Sequence, residues 1–230
     1  MRLQRRSEHI TPKGYRYACN MVKKVVLEVS WAWLSVLLSL VLQIVFLLRI
    51  TNEVQGADAP NYVMLARNWV GFFEPEAFQS NYWPPLYPTL LWGAGQINAE
   101  HELLLVRMLQ IAISLGIGLL VFSLTKSVGL HAARWALTLI VLSPPLWVSS
   151  MMIGYEIVLS GLLLMAVWLV SRALYGGNRP TLQIAFAGFV LGLAAMAHFR
   201  VVWVIPVLML FASKIRKRYA PVFLAGVMGP

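Results

Sequence analysis

Charge is scarce in these 230 residues. Asp, Glu, Lys and Arg together make up 12%, where a soluble domain carries about 25%. A water-soluble fold of this length must cover much of its area with polar groups, and the chain has too few. Acid is scarcer still: nine Asp and Glu stand against nineteen Lys and Arg, for a formal charge of +10. Cysteine occurs once, at Cys19, which excludes an intramolecular disulfide and a cysteine-based metal or iron–sulfur cluster. There is no Gly-rich phosphate loop, GxSxG elbow or HExxH, so soluble nucleotide and serine-hydrolase chemistry find no support. The bases form no stripe interleaved with stacking aromatics, which excludes nucleic acid as the partner.

Hydrophobic residues fill the space that charge leaves, at 59% of the chain. They come in runs that predict an all-α polytopic membrane protein. The first run, Trp31–Leu48, holds eighteen residues without a charge. At 1.5 Å per residue it nearly covers a hydrocarbon core of about 30 Å. It is longer than a signal-peptide core and no small-residue cleavage site follows, so it reads as a retained anchor. Further spans are expected over Leu103–Phe122, over Trp135–Ile153 with a kink or break at Ser143-Pro144-Pro145, and from a turn at Gly154–Tyr155 to about Ser171. The stretch Leu182–Ser213 is too long for one pass and splits better into two, turning near His198-Phe199-Arg200. A partial seventh span begins near Pro221. Gly188 and Gly192 form a GxxxG suited to close helix contact in lipid, and Gly116 and Gly118 read as further packing positions.

The bases set an orientation. Seven lie within the first 24 residues, and with Lys126, Arg134, Arg172, Arg179 and the Lys214–Arg218 cluster they make fifteen of nineteen. Six passes place all fifteen on one face, which the positive-inside rule makes cytoplasmic. The expected organisation is a basic cytoplasmic tail over 1–30 and a transmembrane domain over 31–230, the N-terminal part of a longer protein, with a first outer loop over 49–102. The basic clusters also suit anionic membrane lipids.

That loop holds the first candidate chemistry. Asp58 follows the first span within about ten residues. It serves either as N-cap of a helix opened by Ala59-Pro60 or as a carboxylate at the lip of a membrane cavity, able to take or orient an acceptor proton. Tyr62, Leu65, Ala66, Trp69 and Val70 recur at helical spacing, the pattern of an interfacial helix. Asn81-Tyr82-Trp83-Pro84-Pro85-Leu86-Tyr87-Pro88 reads as a stiff aromatic-proline turn, fit either to stack on a sugar or polyprenyl chain or simply to sit at the interface. Arg107, Glu156 and Arg200 are charges at the same outer side. The arginines suit a lipid phosphate, and Glu156 either pairs with one of them or acts as a second acid. His101, between Glu100 and Glu102, could join Asp58 around a divalent metal, although the spacing does not demand one. His198 reads as a polar turn residue.

These elements, in this order, resemble the N-terminal half of the C-type-fold polytopic glycosyltransferases, of the dolichyl-phosphate-mannose protein mannosyltransferase and lipid A aminoarabinose transferase kind. The matching residues are the aspartate of GADAPNYVMLARNW, the turn YWPPLYP, the arginine of LLLVRMLQ, the glutamate after LSPPLWVSSMMIGY, and FAGFVLGLAAMAHFRVVWVIP. The resemblance implies transfer of a sugar from a polyprenyl-phosphate donor to a lipid, protein or glycan acceptor outside the cytoplasm, in a bacterial inner membrane. It makes Asp58 the general base or acceptor-orienting carboxylate and gives Arg107 and Arg200 as counterparts of the arginines that meet the donor phosphate; with Tyr62, Tyr82, Trp83, Tyr87 and Glu156 from the reading above, these are the candidate substrate contacts. It implies inversion at the anomeric carbon, with no certain cofactor beyond a possible divalent metal. Many relatives carry a second acid directly after the aspartate; this chain has Ala59. Two other functions are open to the same sequence. One is a non-catalytic component that binds a polyprenyl carrier or assembles an envelope glycan complex. The other is a transporter, whose midplane polar site or duplicated half is not visible in the sequence.

Overall fold

The computed structural model describes residues 12–50, 56–68, 83–175, 178–217 and 219–229, and the side chains of all of these except 12–30 and 215. Every regular element among them is helical. In chain order they are α1 Pro12–Arg49, α2 Ala59–Arg67, α3 Leu86–Ile97, α4 Glu102–Thr125, α5 Leu130–Val141, α6 Pro144–Met151, α7 Glu156–Leu174 and α8 Pro180–Ala197. A 3-10 turn, Phe199–Trp203, leads to α9 Val204–Ile215, and α10 covers Tyr219–Val227. The all-α class expected from the apolar runs is what the chain adopts. The segment expected as a basic tail is helical from Pro12 onward, continuous with the first span.

Among the described residues, four helical stretches are long and apolar enough to cross a membrane: Trp31–Arg49 of α1, α4, α7 and α8. The bent pair α5–α6 makes a fifth if it counts as one span. The sequence predicts about six passes; the described residues show four such helices, or five with the bent pair. The chain does turn at His198, as expected, but α9 has only 12 residues, about 18 Å of helix. That is well short of a hydrocarbon core.

The first span carries its polarity on the inside. Ser35, Ser39 and Gln43 are buried at i, i+4, i+8, while Leu34, Leu37, Leu38, Val41, Val45, Phe46 and Leu48 are exposed. In water that arrangement would waste apolar area. In lipid the tails supply no hydrophobic drive between helices, and small and hydrogen-bonding residues hold the interface. The Ser39 Oγ–H donates to the Val141 carbonyl at 2.6 Å, and the Gln43 amide donates to Ser39 Oγ at 3.1 Å. Gln43 Oε1 accepts from Ser114 Oγ of α4 at 2.9 Å and from Ser150 Oγ of α6 at 2.8 Å. One side chain therefore joins three helices.

The break between α5 and α6 turns the axis by 48° and has a local cause. Pro145 has no N–H to offer the carbonyl four residues back, which is that of Val141. The Trp147 indole N–H donates to this carbonyl at 2.6 Å, alongside Ser39. The kink expected at Ser143-Pro144-Pro145 is thus stabilised by groups on either side of it.

Two large apolar clusters complete the packing. One joins α7, α8, α9 and α10 around Ala187, Leu191, Leu208 and Phe223. The other joins α2 and α3 to α4 and the start of α7 through Tyr62, Tyr87, Leu91, Val106 and Ile157. A Cβ on Gly188 would strike the Phe223 carbonyl of α10, and one on Gly226 the Ala185 carbonyl of α8. The small-residue motif of α8 therefore serves backbone contact with α10. Gly118 similarly admits Val141 and Leu137. Gly116, expected to be a packing position, faces open space.

Candidate functional site

Helix ends converge at one end of the bundle because the polar stripe of α4 holds them there. Arg107, fully buried, donates from Nη1 to the Ile50 carbonyl just after α1 and from Nε to the Met151 carbonyl closing α6, the latter at 3.0 Å. One turn on, the Gln110 amide donates to the Met152 and Gly154 carbonyls, both at 3.0 Å. These carbonyls belong to helix ends and to a turn, which lack intrahelical donors. The loop returning from α1 is seated on the same turn. Gly56 has φ +125°, and a Cβ there would crowd the Ile153 carbonyl, so both its conformation and its close approach require glycine.

Above this platform lies a cavity of about 200 Å³ lined by Asp58, Tyr62, Trp83, Pro84, Tyr155, His198, Phe199 and Arg200. It draws on four segments: the start of α2, the approach to α3, the turn at Tyr155 and the turn at His198. Tyr62 is the centre of its aromatic wall, edge-on to Trp83 at 5.2 Å, to Tyr87 at 5.0 Å and to Tyr155 at 6.4 Å. Its hydroxyl is buried without a hydrogen-bond partner among the described residues. Burial, then the neighbouring Tyr155, Asp58 and Glu156, push the Tyr62 phenol far above its ordinary range. It is a neutral O–H donor awaiting an acceptor.

Asp58 occupies the N-cap position of α2, but its side chain makes no capping hydrogen bond. Its backbone carbonyl accepts from the Asn61 and Tyr62 amides, leaving the carboxylate to face the cavity. On the opposite wall the Arg200 amide donates to His198 Nδ1 at 3.2 Å. That bond leaves the ring proton on Nε2. Burial, reinforced by the Arg200 charge and opposed by Glu156, holds the imidazole below its ordinary 6.5. The ring stacks on Phe199 at 5.0 Å and leans on Tyr155 at 4.7 Å. The Arg200 guanidinium is exposed and forms no ion pair among the described residues. Burial and Glu156 also raise the Tyr155 phenol.

Of the residues marked from sequence, Asp58, Tyr62, Trp83 and Arg200 meet in this cavity. Tyr87 does not line it. Residues 86 onward form α3, since proline is tolerated in a first turn, and Tyr87 is buried behind Tyr62 with its phenol pushed up by burial. The aromatic-proline stretch is thus a helix start in its second half. Arg107 holds backbone carbonyls beneath the cavity instead of lining it. Glu156 is exposed on the first turn of α7 and forms no ion pair with Arg200; it acts on the cavity through its field. Tyr82, Trp69 and Val70 lie outside the described residues. His101, suggested with Asp58 as a metal ligand, sits at the N-cap of α4 and is not part of the lining. Among the described residues no three His, Cys, Asp or Glu come together as metal ligands.

Sequence reasoning missed Tyr155, His198 and Phe199. Their signal was position: each follows or precedes an apolar run at the end that carries Asp58. These spans and their inward polarity define a polytopic helical membrane protein with a polar, aromatic-walled cavity at one end. Comparison with family models, with curated proteins and with solved structures returns no match to this chain.

Proposed function

We propose that the chain forms the acceptor-activating part of a membrane glycosyltransferase that uses a polyprenyl-phosphate-linked sugar. The observation that carries this is the cavity itself, where a carboxylate that caps no helix, a guanidinium with no ion pair among the described residues and a wall of rings face one another across about 200 Å³. Asp58 takes the proton from an acceptor hydroxyl or amine as its heteroatom bonds to the anomeric carbon. The bond from that carbon to the phosphate oxygen breaks on the opposite face, and the electron pair leaves with the polyprenyl phosphate. Arg200 offsets the charge that gathers there. Such a leaving group is already stable, so electrostatic help replaces a general acid. Trp83 and Tyr155 stack on the sugar, and the buried Tyr62 holds both rings edge-on from behind.

The charge distribution along the helices favours a cavity on the non-cytoplasmic face and an N-terminus in the cytoplasm, in our reading of a bacterial inner membrane. The α1 N-terminus, Lys126, Arg134, Arg172 and Arg179 all belong to the other ends of the helices that meet at the cavity. That separation follows the positive-inside rule.

The test is sugar transfer from a polyprenyl-phosphate donor in proteoliposomes, normalised to inserted protein. Asp58→Asn should lower the rate by about 10²–10⁴-fold, the range of general-base catalysis, with insertion and melting unchanged. If the variant keeps more than half of the wild-type rate, Asp58 has no part in the chemistry.

A further inference from the structure

At the far end of the bundle a second cavity, of about 420 Å³, opens between the C-terminal ends of α4 and α7. Its lining includes Ser123, Ser127, Trp168, Ser171, Arg172 and Tyr175. It lies about 24 Å along α7 from Glu156, counting 1.5 Å per residue, which places it near the opposite membrane surface from Asp58. The Trp168 indole N–H donates to Ser123 Oγ at 2.8 Å. That spends an acceptor site on Ser123 and leaves its O–H free to donate outward. Ser171 makes no hydrogen bond to another described side chain or carbonyl, although a helical serine commonly turns back to the preceding turn. The Arg172 guanidinium sits 5.0 Å from the centre of the Trp168 ring and forms no ion pair among the described residues.

Donors therefore converge here with no acid among the described side chains to satisfy them. The four acidic residues whose side chains are described, Asp58, Glu100, Glu102 and Glu156, all lie toward the other end. The carbonyl ends of α4 and α7 oppose an anion, so the formal charge of Arg172 has to carry any attraction. We infer that this cavity is a binding site for the phosphate of an anionic phospholipid headgroup, with Arg172, Ser123 and Ser171 as its donors and Trp168 as the interfacial anchor that holds the guanidinium in place. A headgroup is the fitting source of the phosphate because the site opens where a span meets the bilayer surface.

Native mass spectrometry of the purified full chain, titrated with phosphatidylglycerol, tests this. The first phosphatidylglycerol should bind roughly fivefold more weakly to Arg172→Gln, the factor expected for one surface cation facing anionic lipid. A Ser123→Ala/Ser171→Ala variant, with every charge kept, should also bind more weakly. Arg179→Gln, a base on the same face outside the cavity, should match wild type. Phosphatidylcholine of the same chain length should bind all variants alike, and millimolar inorganic phosphate should not displace the lipid. Equal phosphatidylglycerol affinity in Arg172→Gln and wild type overturns the site. An equal loss in Arg179→Gln shows diffuse attraction instead, and displacement by inorganic phosphate shows a soluble ligand; each overturns it. Should Arg172→Gln fail to fold, the double serine variant decides alone: unchanged affinity overturns the proposal.

Discussion

Asp58 stands where a helix cap would stand and does not cap. Its side chain makes no hydrogen bond to the first turn of α2, so losing it should cost less than the roughly 1 kcal/mol of a true cap. That separates catalysis from stability in the Asp58→Asn experiment. His198 offers a second separation. Its Nδ1 accepts from the Arg200 amide and its pKa lies below the ordinary 6.5, chiefly through burial. The unfolded chain therefore binds this proton more readily than the folded one. Stability from His198 is complete above 6.5 and is lost as the pH falls below it toward the depressed folded value. His198→Asn retains a side-chain acceptor but cannot titrate. Melting followed against pH should show a smaller acid-side fall for that variant than for wild type. Identical pH dependence would remove His198 as the titrating group.

The α5–α6 pair shows how a helix break is sustained inside lipid. Pro145 strips the Val141 carbonyl of its helical donor, and Ser39 and Trp147 both replace it. Either donor alone still satisfies the carbonyl. Ser39→Ala should therefore cost little, about 0.6 kcal/mol as for a typical interhelical hydrogen bond in a membrane. Ser39→Ala with Trp147→Phe leaves a bare carbonyl, worth about 1–3 kcal/mol. Reversible unfolding in bicelles across the full double-mutant cycle should then show the pair costing more than the two single changes together. Strict additivity would mean that the two donors do not share the carbonyl. Arg107 follows the same logic at larger scale, since its donors close the ends of α1 and α6 beneath the cavity.

The molecule as a whole is a bundle whose close crossing lies between α8 and α10. Gly188 permits it, because a Cβ there meets backbone, which cannot yield as a flexible side chain would. Gly188→Ala should destabilise the protein by about 1–3 kcal/mol, the usual cost of overpacking. Gly116→Ala, facing open space, should instead be stabilising by about 0.4–1 kcal/mol through the entropy of the unfolded chain. Thermal melting of the two variants in one detergent should move in opposite directions. A common direction would show that the α8–α10 contact is not as close as described.

Sequence alone determined the class and most of the element boundaries. Apolar runs of span length, Pro144-Pro145 in the third and the polar break at His198 each act locally, through helix length, a missing N–H or an interrupted run. It also predicted that Asp58, Tyr62, Trp83 and Arg200 would lie together at one end of the spans, where they do line one cavity, since alternation of spans assigns ends without knowing contacts. Tertiary structure decided what local rules cannot reach. Whether α9 is long enough to span depended on where the 3-10 turn Phe199–Trp203 ended. Whether Arg107 meets a ligand or a carbonyl depended on how α1 and α6 end against α4. The cavity joins residues 58 and 200 through helix packing, and its phenol and imidazole acquire their shifted pKa values only from neighbours brought there by the fold. Pairwise distance between remote segments is set by packing, and no spacing along the chain records it.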